Sequence, residues 1–238
     1  MSSDNSRTPS RPSSTTEVDA FLTRLAATPS AKPAGGRGRL IFALDATASR
    51  QPTWDRAAQI QGEMFVATAS LGGLEIQPCF YRGFGEFRAG PWLGEAAPLL
   101  RLMTSVTCAA GETQIRRVLR HAVNETRKRR VNALVFVGDC MEEDVDRLGQ
   151  LAGELGVLGL PAFMFHEGRD AVAEYAFKQV ARLSGGAYCR FDHGSAKTLQ
   201  ELLSAVAVFA AGGRPALEDL AARQRGEVLR IAHQMKGR

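Results

Sequence analysis

Two apolar runs dominate the hydrophobic pattern, and each ends abruptly in a carboxylate. The first, Leu40-Ile41-Phe42-Ala43-Leu44, gives way to Asp45-Ala46-Thr47-Ala48-Ser49, and the second, within residues 131–138, gives way to Asp139. Near-continuous apolar runs of this length are the mark of strands buried on both faces of a parallel sheet. Alternation over residues 74–81 predicts a further strand, with residues 84–87 pairing to it as an edge-like strand after a turn at Arg82-Gly83. Shorter strands follow at 161–165 and 187–191.

Between these runs the apolar period lengthens to that of a helix. Ser14-Thr15-Thr16-Glu17 reads as a capping box, followed by Val18, Phe21, Leu22 and Leu25 on one face. Helices are predicted from Pro52 to about 71, from Glu112-Thr113 onward (core stripe Ile115, Val118, Leu119, Ala122), over 142–155 and over 170–183. Residues 92–103 form a short helix or a crossing segment. Two closing helices, 195–211 and from Pro215 to about 235, are separated at Gly212-Gly213. Strand and helix alternate, which predicts an α/β fold with a parallel sheet covered on both faces.

Three segments are expected: a disordered arm with a short amphipathic helix (1–38), an α/β domain (39–211) and a helical extension packing on it (212–238). The polar start contains no apolar stretch of the kind a secretory signal carries, and no apolar run reaches the roughly 18 residues of a membrane span. The four cysteines are far apart without C-x-x-C spacing, which fits neither a zinc cluster nor a disulfide framework and suits a reducing cytoplasm. Net charge is +5, with one basic cluster, Arg127-Lys128-Arg129-Arg130, which reads as a solvated helix end rather than a nucleic-acid contact.

Candidate chemistry lies at the strand ends. In open α/β sheets, ligands bind outside the carboxyl ends of the strands. Asp45, Thr47 and Ser49 follow the first strand, Asp139 follows another, and Thr113 opens a helix after a loop of small residues. Two carboxylates and three hydroxyls suit Mg²⁺, which prefers oxygen ligands and keeps several waters, with Mn²⁺ or Ca²⁺ as substitutes. Taken singly, Asp45 is as well explained as a helix cap. The four histidines show no ligand spacing, which disfavours zinc.

These residues resemble the von Willebrand factor A domain with its metal-ion-dependent adhesion site. The family's Asp-x-Ser-x-Ser reads here Asp45-Ala46-Thr47-Ala48-Ser49, its helix-opening Thr reads Gly111-Glu112-Thr113, and its third element reads Val137-Gly138-Asp139-Cys140. Thr47 keeps the hydroxyl of the usual Ser, and Cys140 replaces the usual Gly. The resemblance, over about residues 39–211, implies a three-layer α/β/α, mostly parallel sheet with one antiparallel edge strand. It implies that Asp45, Thr47 and Ser49 bind metal directly, with Thr113 and Asp139 direct or through water. It also implies a non-enzymatic intracellular adaptor whose protein partner supplies an Asp or Glu, in several members beside AAA+ ATPases or chaperone systems.

The competing reading is a Mg²⁺-dependent phosphohydrolase resembling the haloacid-dehalogenase class, with Asp45 as nucleophile. That chemistry needs a second Asp where Thr47 stands, and a Lys that residues 157–161 do not supply. Nucleotide binding lacks any glycine-rich phosphate loop.

Overall fold

The computed structural model describes residues 15–28, 37–48, 73–191 and 196–223. Among them the chain runs α1 (Thr15–Ala27), β1 (Gly38–Asp45), β2 (Leu74–Arg82), β3 (Glu86–Ala89), α2 (Ala96–Thr104), α3 (Ile115–Lys128), β4 (Ala133–Gly138), α4 (Val145–Val157), β5 (Ala162–Glu167), α5 (Ala171–Ser184), β6 (Ala187–Phe191) and α6 (Ala196–Arg223). The expected disorder of residues 1–14, the helix after Pro52, Ser49 and the end of the last helix lie outside the described residues.

The sheet has the order β3-β2-β1-β4-β5-β6. All neighbours are parallel except β3, which pairs antiparallel to β2 at the edge. The two apolar runs, β1 and β4, are central and fully buried along their length, as their composition requires. One face of β1 sends Leu40, Phe42 and Leu44 toward α1, α2 and α6, while the other sends Ile41 and Ala43 toward α3, α4 and α5. Helices on both faces follow from the parallel topology, because each crossover must climb back over the sheet.

Helix α1 belongs to this core. Phe21 packs edge-on against Phe163 at 6.0 Å and tilted against Phe165 at 5.2 Å, Arg24 Nε donates to the Gly186 carbonyl at 3.2 Å, and Thr28 Oγ1 donates to the Gly185 carbonyl at 3.3 Å. The same, amino end of the sheet is closed by Arg39, which is 5% exposed. Its guanidinium lies 3.7 Å over the Trp92 ring and faces Glu75 and Glu125. The expected break between the closing helices is present: Gly213 takes φ 71°, ψ −162° inside α6, a conformation open to glycine and rarely to other residues. Among the described residues no helix is long and apolar enough to cross a membrane.

Candidate functional site

At the carboxyl edge of the sheet, β1 and β4 are neighbours, so the residues that follow them meet. Asp45 ends β1 on the face it shares with Ile41 and Ala43 and is 1% exposed. Its Oδ1 accepts the Thr47 N–H at 2.8 Å, which turns the chain and buries the Thr47 side chain to 7% exposure. Asp139 and Cys140 follow β4, and the ligand-capable atoms of Asp45, Asp139 and Cys140 all lie within 4.8 Å of one another. Two carboxylates brought this close repel one another when both are ionised. A cation between them would reverse that sign. Cys140 is a neutral thiol at neutral pH, its pKa pushed up to about 12 by burial first and then by the charges of Asp139 and Asp45.

Three loops are fastened together around this corner. The Ala46 N–H donates to the Tyr81 carbonyl at 3.0 Å, and the Ala109 N–H donates to the Ala46 carbonyl at 3.0 Å, joining the β1 loop to the loop before α3. Thr113, 6% exposed, is bracketed by Glu142: its Oγ1 accepts the Glu142 N–H at 3.0 Å, and its own N–H donates to Glu142 Oε2 at 3.2 Å. Glu143 then caps α3, taking the N–H groups of Ile115 and Arg116. Gln114, at the N-cap position of α3, makes no side-chain cap bond of its own, so the cap comes from another loop.

Two further side chains shape the floor. Tyr81, register partner of Asp45, is fully buried and stacks on Phe136 at 6.3 Å; its phenol pKa is raised by burial and then by the neighbouring Asp45 carboxylate. His166 Nε2 lies 3.2 Å from the Asp139 carbonyl and Nδ1 lies 3.0 Å from the Tyr188 hydroxyl. A carbonyl can only accept, so Nε2 carries the proton and Nδ1 accepts from Tyr188. Burial holds the His166 pKa below its ordinary 6.5.

Asp45, Thr47, Thr113 and Asp139 are therefore set on adjoining loops, while Ser49 lies outside the described residues. Cys140 enters the cluster as a third potential donor, where sequence reading treats it as a departure from a motif. Glu142 and Glu143 are read from sequence as the acidic first turn of a helix. In the fold α4 begins only at Val145, with Asp144 as its cap, and the two glutamates serve α3 instead. Only their position directly after Asp139 hints at this role.

No protein-family model and no curated protein sequence matches the chain. Solved structures do. The SpRpn10 VWA domain aligns at TM-score 0.54 and 12% identity over 70% of this chain and 94% of that domain. Proximal thread matrix protein 1 from the mussel byssus, in a structure described as having a zinc-occupied MIDAS motif, aligns at 0.59 and 12% over 72% of this chain. The human COPII-coat protein Sec24c aligns at 0.54 and 12% over 74%. The chain spans 46% and 32% of the latter two. At these identities the likeness is one of fold.

Proposed function

We propose, from the von Willebrand factor A fold that this chain carries, that it is a non-enzymatic protein-binding module that captures an acidic side chain of its partner through a divalent cation. Asp45, Thr47, Ser49, Thr113 and Asp139 would hold the ion. The observation that supports this most directly is the convergence of the Asp45, Asp139 and Cys140 donor atoms within 4.8 Å at the carboxyl edge of the sheet. With two carboxylates and hydroxyl oxygens around it, a Mg²⁺ ion would keep net positive character. It would then supply a Lewis-acid contact for an incoming carboxylate. Mn²⁺ or Ca²⁺ would fit the same oxygens. Burial of Asp45 and the Thr47 N–H bond fix that carboxylate before any ion arrives, so its own ordering costs little on binding. The four free cysteines suit a reducing cytoplasm.

The test begins with EDTA-treated protein and a thermal-unfolding series in Mg²⁺. At 100 times the dissociation constant an ion specific to the native state adds about 2.7 kcal/mol. For a domain of this size that raises the Tm by roughly 5–10 °C. The shift is expected in the native chain and absent in Asp45→Ala, with no turnover of p-nitrophenyl phosphate by either. An equal shift in Asp45→Ala, or none with Mg²⁺, Mn²⁺ or Ca²⁺, would remove the ion from the reading. Asp45-dependent phosphate release would replace it with the hydrolase.

A further inference from the structure

Away from the carboxyl edge, an open groove of about 550 Å³ runs where the edge strand β3 meets α3, lined by Phe87, Arg116, Arg117, Arg120, His121 and Asn124. Its charge is one-sided. Arg116, Arg117 and Arg120 are exposed on successive turns of α3, and Arg117 Nη1 donates to the Gly85 carbonyl at 2.5 Å. Arg116 and Arg120 form no salt bridge among the described residues. His121 adds no charge: burial lowers its pKa below 6.5, and its Nε2 pairs with Gln77 Oε1 at 2.9 Å. The carboxylate nearest on β3, Glu86, is already committed to Arg82 and Arg88.

Arg116 and Arg120 are four residues apart on one helix, where like charges repel. An anionic occupant would turn that repulsion into attraction. The floor is apolar, with Phe87 packed 5.5 Å from the His121 ring, and β3 is an edge strand of the sheet among the described residues. Guanidiniums on one wall, an aromatic floor and a strand edge on the other wall match an extended acidic peptide, which pairs its main chain to an edge and sets alternate side chains in pockets.

We propose that this groove binds an extended acidic segment of a protein partner, with carboxylates on Arg116, Arg117 and Arg120 and an apolar side chain on Phe87. A nucleic-acid strand fits less well. The lining offers one phenyl ring, Phe87, where a single strand stacks successive bases on several aromatic side chains. The contact goes beyond the metal-site reading and needs no cation. It lies on the helix that Thr113 precedes, so one partner can span both.

The test is fluorescence anisotropy in EDTA at low salt, with a fluorescein-labelled Glu-Val-Glu-Val-Glu-Val-Glu peptide as probe and its Lys-Val counterpart as control. The acidic peptide is expected to bind, and added salt to weaken it. The Arg116→Glu/Arg120→Glu double substitution should cost at least about tenfold in affinity while Arg116→Lys/Arg120→Lys retains most of it. Arg130→Glu, just past the far end of α3, should leave binding unchanged. No binding above the control, equal loss in Arg130→Glu, or no loss in the double Glu variant would overturn the proposal. Tighter binding of an eight-nucleotide oligothymidylate would overturn it in favour of a phosphate backbone. Capture that requires Mg²⁺ and vanishes in EDTA would also overturn it and assign the peptide to the Asp45 corner instead.

Discussion

Glu143→Ala is the substitution that most directly probes how the site is held. The first N–H groups of any helix lack intrahelical acceptors, and α3 has no cap from Gln114. Glu143 supplies it across 28 residues of sequence, accepting from Ile115 N and, at 3.1 Å, from Arg116 N. Removing the carboxylate strands both donors. Loss of a helix cap costs about 1–2 kcal/mol, and loss of a negative charge at the helix start about 0.5 kcal/mol more. Against this, burial of Glu143 is itself unfavourable, since it raises the carboxyl pKa above 4.5. The net expectation is about 2 kcal/mol, or roughly 4–8 °C in Tm for a domain of this size. Glu143→Gln keeps one acceptor oxygen without charge and should lose about half as much. Urea unfolding of the three proteins, with unchanged m-values, measures this. If Glu143→Ala matches the native chain within about 0.5 kcal/mol, or if Gln and Ala are equivalent, the cap does not hold the loop.

Other outcomes are equally specific. A Cβ at Gly186 would sit 2.0 Å from the Ala162 carbonyl oxygen, backbone that cannot swing aside, so Gly186→Ala should destabilise by about 2–3 kcal/mol. Gly153, inside α4 with nothing within 4 Å of an added Cβ, should behave oppositely: Gly153→Ala gains about 0.5–1 kcal/mol, read from the same urea midpoints. His121 and His166 are both held below 6.5 by burial, so the unfolded chain takes up their protons first. Their contribution is complete above about pH 6.5 and is lost as the pH falls below it, at up to about 1.4 kcal/mol per pH unit for each. The urea midpoint should therefore drop between pH 7 and pH 5 and drop less in His121→Gln; a flat profile would contradict neutral, buried rings.

The strand ends were legible in the sequence because one physical fact governs them: an apolar run long enough for a central parallel strand has to stop at the sheet edge. Asp45 and Asp139 are the residues at which β1 and β4 stop, and β1 and β4 are adjacent. What pattern reading misplaced depended on contacts distant in sequence. The edge strand, expected at 84–87, lies at Glu86–Ala89, because a three-residue turn with φ 59° at Gly83 and φ 118° at Gly85 precedes it. Helix α3 starts at Ile115 rather than Glu112. Glu112 N donates to the Gly83 carbonyl, and Glu142 holds Thr113, which keeps those residues out of helical bonding. The acidic run 142–144 looks like one helix start, yet Asp144 caps α4 while Glu142 and Glu143 cross to another loop. Local composition cannot distinguish a carboxylate that caps its own helix from one that caps a neighbour.

The position of α1 bears on how the molecule is assembled. Arg24 and its acceptor at Gly186 are 162 residues apart in sequence, and Phe21 packs on side chains of β5 that are made almost as late. On the ribosome, the stripe of Phe21, Leu22 and Leu25 therefore emerges first and has no surface to cover until β5 and β6 exist. Contacts of such long sequence separation form slowly, because loop closure precedes their reward. Helix α1 can therefore complete its packing only after β5, β6 and α6 have been made, although it precedes all of them in the sequence. Until then the emerging chain carries an apolar stripe that a chaperone could hold.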